Sequence, residues 1–297
     1  MSVLSVKSVA IVLLNYNSFD FTKECVKSLE GITYNNYKVI IVDNCSTDDS
    51  FNKLTQLESD LIHIIKSPKN GGFAFGNNIG IEYAISKGFD YVLLLNNDTI
   101  VEKNFLDELV ATATREKSDI TTCRIMYNSA RNIIWYAGGE IDLFNQRAVH
   151  TGINTLYRSD AKEKDRNVTF ISGCCMLLSR QCINKIGGLP EGYFMYYEDL
   201  DYCQNALNNH LKLVYSPASI IYHCVSASGG GSRSPFVIEW SNRSRRRFMS
   251  KYGHEISLFK LAISFFVCEL REIIKIIRAP GRIKGIKAYT RSFAYYA

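Results

Sequence analysis

Val9-Ala10-Ile11-Val12-Leu13-Leu14-Asn15-Tyr16-Asn17 is an apolar run closed abruptly by polar residues. A continuous apolar run of this length reads as a strand buried on both faces, the kind that parallel sheets require. Ser8–Leu14 therefore predicts a first strand, and NYNSFD a turn after it. From Phe19 to Leu29 the apolar residues fall at 21, 25, 26 and 29, which is helical spacing. Tyr37–Val42 (YKVIIV) repeats the strand signal and stops at Asp43-Asn44. Ser46-Thr47-Asp48-Asp49 resembles a capping box and predicts a helix to about Leu57. Leu61–Ile65 reads as a third strand, Phe75–Ser86 as a helix after Gly71-Gly72, and Tyr91–Leu95 as a fourth strand. Asn96-Asn97-Asp98 follows, then a helix over roughly 103–115. Strand and helix alternate, so the first 115 residues predict a parallel sheet covered by helices on both faces.

Past Ile120 the pattern breaks up. The stretch 120–170 is short, mixed and turn-rich, and 226–235 (SASGGGSRSP) has the composition of a loop or lid. Helices are predicted at 179–186 and from Glu198 to Asn208, a strand at Leu211–Tyr215, and a helical, basic chain from 236 onward. The 297 residues, 46% hydrophobic and 22% charged, exclude a disordered or low-complexity chain. Nine cysteines cannot all pair, and none forms a C-x-x-C, so free thiols acting as small buried hydrophobes are expected. The N-terminal MSVLSVKSVA lacks the core of a signal peptide, and no apolar run reaches the roughly 18 residues of a spanning helix.

Charge is distributed unevenly. Residues 233–297 carry a net +10 and residues 1–232 a net −4, within a total of +6. A mildly acidic body with a basic tail predicts an anionic partner for the tail. Phe259, Ile263, Phe266, Leu270, Ile273, Ile274 and Ile277 recur at steps of three and four and share one helix face. Lys260, Arg271, Lys275 and Arg278 fall on another face, with Arg243, Arg245, Arg246 and Arg247 upstream. An apolar stripe beside cations suits an anionic membrane surface; packing against the body or a second subunit is the competing reading. Nucleic acid is not expected, because no RNA-binding signature accompanies the basic residues.

Ligands of an open parallel sheet sit at the carboxyl ends of its strands. Here those ends carry Asn15-Tyr16-Asn17, Asp43-Asn44 and Asn96-Asn97-Asp98. No G-x-G-x-x-G follows the first strand and no G-x-x-x-x-G-K-[ST] occurs, which argues against dinucleotide dehydrogenases and P-loop enzymes. Asn and Asp favour turns in any protein, but three polar clusters on successive strand ends suggest a shared site. A carboxylate at Asp98 suits a hard cation such as Mg²⁺ or Mn²⁺ on a diphosphate. Glu198, Asp199 and Asp201 complement a helix N-terminus, as acids commonly do. The aromatic run before them, Tyr193, Phe194, Tyr196 and Tyr197, also suggests a partly buried carboxylate with base character. His223, alone at the end of a strand in IIYHC, is by itself more often a hydrogen-bonded structural residue than a ligand.

Taken in order, VAIVLLNYN, VDNCSTDDS, NGGFAFGNNIGI, LLLNNDT, ISGCCMLLSR, GGLPEGYFMYYEDLDYC and YHCVSASGG resemble family 2 inverting glycosyltransferases of the GT-A fold, over about residues 8–225. The subgroup they most resemble contains rhamnosyltransferase-like and galactofuranosyltransferase-like enzymes of surface polysaccharide assembly. The resemblance implies an α/β fold with a Rossmann-like, mainly parallel sheet flanked by helices, followed by a C-terminal helical basic extension. It implies a catalytic domain over 1–232, with a nucleotide-binding half to about 118 and an acceptor-binding half from 119, and a tail over 233–297.

The resemblance also implies residue roles. Asn15, Tyr16, Asn17 and Asp43 would hold the nucleotide base and ribose, and Asn70, Gly72, Gly76 and Asn78 would line the diphosphate. Asn96-Asn97-Asp98 stands where the family has D-x-D, so Asp98 keeps the metal role and Asn96 offers a neutral oxygen. His223 would complete the site of a divalent cation, Mg²⁺ or Mn²⁺. Asp199 falls on the catalytic base, with Glu198, Asp201, Gly173 and Cys174 supporting the acceptor side. The implied partners are a UDP- or dTDP-linked sugar donor and a glycan or lipid-linked saccharide acceptor, with the chain peripheral on the cytoplasmic face of the membrane. The alternative is a related nucleotide-sugar-binding protein with little or no catalysis.

Overall fold

The computed structural model describes residues 6–158, 163–224, 234–278 and 281–293. Its first half follows the alternating pattern: β1 (Val9–Asn15), α1 (Phe19–Leu29), β2 (Tyr37–Asp43), α2 (Ser50–Thr55), β3 (Ile62–Lys66), α3 (Gly72–Ser86) and β4 (Tyr91–Asn96). A short β5 (Thr99–Val101) and α4 (Phe105–Glu116) complete it. The strands β4, β1, β2 and β3 are parallel neighbours, and the residues of β1 from Val9 to Leu13 are wholly buried. An apolar residue on both sides of each strand is what two helix layers require.

The turn-rich second half extends the same sheet. It holds β6 (Ile120–Tyr127), β7 (Ala130–Tyr136), β8 (Gly139–Asp142), β9 (Arg147–His150), β10 (Arg166–Asn167), β11 (Cys175–Ser179), α5 (Arg180–Ile186), α6 (Glu198–Asn208) and β12 (Leu213–His223). The order across the sheet is β10-β12-β6-β11-β4-β1-β2-β3, with β8 and β9 forming a separate hairpin. β11 runs antiparallel between β4 and β6, so the sheet is parallel in its first half and mixed beyond it. β12 extends well past the predicted Tyr215. A register shift between Ser216 and Ile220 lets the strand pass Pro217, which lacks a ladder donor, and continue to His223.

α3 begins at Gly72, in the glycine pair read as punctuation. Gly72 has φ +90°, and a Cβ there would lie 2.0 Å from the Phe194 carbonyl oxygen. Only glycine fits that backbone and that approach.

The basic C-terminal stretch forms α7 (Pro235–Tyr252), α8 (Leu258–Arg278) and α9 (Arg282–Arg291). α7 packs into the body: its Phe248, Met249 and Tyr252 belong to the same hydrophobic core as the sheet, and Leu261 and Phe265 of α8 pack against it. The predicted loop 226–235 lies outside the described residues except for Ser234 and Pro235. All nine cysteines are free thiols, seven of them buried.

Candidate active site

Register assembles the site. Asn15 pairs with Asp43 and Leu14 with Asn96, so the polar turns after β1, β2 and β4 lie side by side. Asn15 is wholly buried; its amide donates to Asp43 Oδ1 at 2.9 Å and to Ser46 Oγ at 3.2 Å, and its oxygen accepts from Ser18 and Thr22. Asn97 donates to the same Ser18 and Thr22 hydroxyls at 2.8 Å. Ser18 and Thr22 thus knit β1 to β4, a role that no motif announced.

Asp43 is wholly buried and accepts from Asn15, from the Ser46 backbone N–H at 3.0 Å and from the Ser46 hydroxyl at 2.5 Å. Its geometry is that of a residue organising the turn. Tyr16, 42% exposed, and Asn17, at φ 50° and hydrogen-bonded to Thr47, stand at the rim instead.

The glycine-rich segment is fastened to its neighbours. Asn70 Oδ1 accepts from Asn44 and from the Gly72 N–H, which shapes the start of α3. Gly76 faces Leu14: a Cβ there would sit 2.3 Å from that side chain, so this glycine brings α3 down onto β1. The Asn78 amide is engaged by the Leu189 carbonyl, the Leu189 N–H and Glu191, fastening the 187–191 loop.

Asp98 and His223 meet because β5 pairs with β12 in the register Thr99 opposite His223. Both are buried, at 7% exposure, and Asp98 Oδ1 lies 3.1 Å from His223 Nε2. Among the described residues neither Asp98 Oδ1 nor His223 Nδ1 has a hydrogen-bond partner. A buried carboxylate oxygen without a hydrogen bond is costly to leave so. Its placement beside an imidazole nitrogen fits a divalent cation held between them. No group of three or more His, Cys, Asp or Glu able to hold a metal occurs among the described residues. Two protein ligands with the rest from phosphate and water is a normal pattern for Mg²⁺. Trp135 packs edge-to-face with His223, with ring centroids 4.8 Å apart.

On the other flank, Asp199 opens α6. Its Oδ2 accepts from the Gly173 N–H at 3.0 Å and its Oδ1 from the Leu200 N–H at 2.8 Å. Burial raises its pKa above the ordinary carboxylate range, against the opposing effect of those N–H bonds. Glu198 is pushed up further, by burial and then by the charge of Asp199, and its Oε2 is buried without a partner. Cys174 joins the two flanks: its carbonyl accepts from the Asn96 N–H at 2.9 Å. Burial raises its thiol pKa, helped by the charges of Asp98 and, more weakly, Asp199.

Asp201 faces away from this chemistry. It accepts from Tyr193 at 2.7 Å, Tyr252 at 2.9 Å and Lys251 at 2.7 Å, which fastens α7 to α6. Tyr196 and Tyr197, just ahead of Glu198, both lie in the left-handed region at φ 67° and 69°. Such a backbone costs a side-chain-bearing residue about 1–2 kcal/mol.

Sheet order, strand-end turns and the acid-bearing α6 define a GT-A glycosyltransferase fold. The Mn²⁺ complex of GalNAc-T7 with UDP and GalNAc superposes with a TM-score of 0.66 at 15% identity, covering 83% of this chain and 48% of that one. The mannosyltransferase PcManGT from Pyrobaculum calidifontis, solved with GDP-Man and Mn²⁺, superposes with a TM-score of 0.57 at 12% identity, covering 96% and 86%.

Residues 10–187 match the family described as glycosyl transferase family 2, and the chain belongs to it. It is 29% identical over 207 residues to the low-salt glycan biosynthesis hexosyltransferase Agl10 of Haloferax volcanii, covering 69% of this chain and 63% of that protein. It is 26% identical over 254 residues to the rhamnosyltransferase WbbL of Escherichia coli K12, covering 82% and 93%.

Proposed function

We infer that the chain transfers a sugar from a UDP- or dTDP-linked donor to a hydroxyl of a lipid-linked saccharide, with inversion at the anomeric carbon. The observation that carries this reading is Asp199: a carboxylate fixed by two backbone N–H groups, lining a cavity, with its pKa raised by burial. A base so placed can accept the acceptor hydroxyl's proton as the new bond forms. With Asp98 and His223 on the opposite flank, attack and departure occur on opposite faces of the sugar, and no covalent intermediate is needed. A divalent cation bound there would offset charge on the departing diphosphate. The network of Asn15, Ser18, Thr22 and Asn97 keeps the three turns rigid beneath the nucleotide, and Tyr16 at the rim offers its ring to the base.

The apolar face of α8 supports the membrane part of the reading. Phe259 is 76% exposed and Phe266 70%, while α8 packs on the body through Ser264 and Cys268. Among the described residues no helix is long and apolar enough to cross a membrane. The chain then lies on the cytoplasmic leaflet, where a lipid-linked acceptor would meet it. The test is nucleoside diphosphate release from a panel of UDP-, dTDP- and GDP-sugars with added lipid-linked saccharide. Release from a UDP- or dTDP-sugar that an acceptor accelerates, with an inverted product by NMR, is the expected result. Retention of configuration, or no turnover of any donor, sinks the reading.

A further inference from the structure

Tyr196 has an unusual combination of backbone and side chain. Its φ of 67° is a conformation in which glycine would be unstrained, yet the position carries a bulky ring. The surroundings hold it there. Ser244 of α7 donates to the Met195 carbonyl at 2.8 Å, Tyr197 donates to the Gln146 carbonyl at 2.6 Å, and the Asp201 N–H donates to the Tyr197 carbonyl at 2.8 Å. Strain that three elements maintain points to a task for the side chain it places.

That side chain borders a cavity of about 190 Å³ lined also by Ala148, Tyr197, Glu198, Asp199 and Leu200. Roughly six waters would fill this volume, at about 30 Å³ each, which suits one saccharide ring. The two tyrosines differ. The Tyr197 hydroxyl is tied to Gln146 and its ring lies 5.9 Å from that of Phe248. Tyr196 is half-buried and makes no side-chain hydrogen bond or ring contact among the described residues. It shares the cavity wall with Glu198 and Asp199, and burial, then the charge of Glu198, raise its phenol pKa.

We propose that Tyr196 is the platform on which the acceptor saccharide stacks, delivering a hydroxyl to Asp199. A sugar ring presents C–H groups on its faces and hydroxyls around its rim. The negative face of an aromatic ring attracts the former, and carboxylates accept from the latter. One cavity that joins a free aromatic ring to two carboxylates matches both. α7 thereby becomes a positioning element, through Ser244, for the ring that recognises the acceptor.

This inference rests on the glycosyltransferase reading, and its test separates the two. Octyl glucoside, octyl galactoside and octyl mannoside serve as probes of saccharide binding by saturation-transfer NMR, with UDP and dTDP binding measured in parallel. Tyr196→Phe keeps the platform and should bind the best probe as the wild type does. Tyr196→Leu and Tyr196→Gly should weaken it by about three- to tenfold, the worth of one aromatic contact, with nucleotide affinity unchanged. Acceptor KM should rise by the same factor in any donor assay that turns over. Unchanged saccharide affinity in both variants, equal losses of saccharide and nucleotide binding, or no saccharide binding by the wild type overturns the proposal. Tyr196-dependent binding in a protein that turns over no donor would uphold the platform while defeating the transferase reading.

Discussion

The Asp98 carboxylate and the His223 imidazole approach to 3.1 Å at the mouth of the sheet, through strands that the chain order separates by more than a hundred residues. The contact lacks hydrogen-bond alignment, so the carboxylate oxygen keeps a lone pair for another partner. On the proposed metal role, removing either side chain should weaken Mn²⁺ binding. Asp98→Asn and His223→Ala are each expected to lose at least about tenfold in Mn²⁺ affinity, since even outer partners of metal ligands are worth about 10- to 100-fold. Electron paramagnetic resonance titration of Mn²⁺ in the presence of UDP measures this directly. EDTA should abolish donor turnover, and full activity in chelator would remove the metal role.

Asp199→Asn keeps the shape of the carboxylate and loses its basicity. Turnover is expected to fall by about 10²–10⁴ with donor affinity nearly intact. The Asn oxygen can still accept one of the two backbone N–H bonds, so the melting temperature should move little. Pre-steady-state measurement of nucleoside diphosphate release reads the chemical step. Near-normal turnover would move the base elsewhere.

The same carboxylate sets a pH dependence. Burial raises Asp199 above the ordinary range near 4, and the base must be ionised to act. The acidic limb of kcat/KM should therefore lie above that range, with activity lost as pH falls through it. Glu198, raised further by burial and by Asp199, takes its proton first. Glu198→Gln mimics that neutral acid, so its limb should coincide with the wild-type limb. A limb displaced well downward in Glu198→Gln would mean that Glu198 is ionised in the working enzyme.

Glu269 fastens α8 to α7. It accepts from Arg245 at 2.8 Å and Arg246 at 3.1 Å, both of them buried, and from Tyr289 of α9. Burial works against its ionised form, but Arg246, Tyr289 and Arg245 outweigh it and hold the pKa down to about 2 from 4.5. A depressed carboxylate contributes stability above its unfolded value and loses it as pH falls from about 4.5 toward 2. The contribution is at most about 3 kcal/mol at neutral pH. Glu269→Gln should lower the melting temperature most at pH 6–7, with the difference closing as pH falls to about 2. A pH-independent difference in calorimetry would mean that packing and not charge carries the contact.

What the sequence disclosed depended on range. α6 is read correctly from Glu198 to Asn208 because acids, apolar spacing and the preceding turn all act within a dozen residues. β1, β2 and β4 are legible as unbroken apolar runs. β12 is legible as two separate strand pieces, Leu211–Tyr215 and the run IIYHC ending at His223; Pro217 hides that a bulge joins them into one strand. The partners of Asp201 lie fifty residues on, at Lys251 and Tyr252, and nothing local marks them. Arg245 and Arg246, expected among the cations facing lipid, are buried against Glu269. A run of arginines does not reveal which of them a later acid will claim.

On α8 and α9, Lys260, Arg278, Arg282, Lys284 and Lys287 are exposed and can meet a membrane. They flank Leu258 at 82% exposure, Phe259 at 76%, Phe266 at 70%, Ile277 at 53% and Ile283 at 67%. α8 presents a large apolar stripe to solvent. Its small residues Ser264 and Cys268 face loop 144–146, its Leu261 and Phe265 face the body and its Ile276 is buried, while Leu258, Phe259, Phe266, Leu270 and Ile277 face outward. Glu269 and the two buried arginines fix that orientation, so the stripe is presented and not folded away. Each large apolar side chain taken out of water is worth about 1.5–3 kcal/mol, and each cation near anionic lipid about 1 kcal/mol. Phe259→Ser, Phe266→Ser and Ile277→Ser combined should weaken binding to phosphatidylglycerol-containing liposomes by at least about a hundredfold. Lys284→Gln with Lys287→Gln should weaken it less and flatten its salt dependence. The five substituted side chains are exposed, so the fold should persist, as circular dichroism can verify. Flotation of the full chain and these variants decides the matter. A wild type that fails to float, or a triple variant that floats equally well, excludes this face as the anchor. A wild-type dimer in gel filtration that the triple variant turns to monomer would assign the stripe to a second copy of the chain.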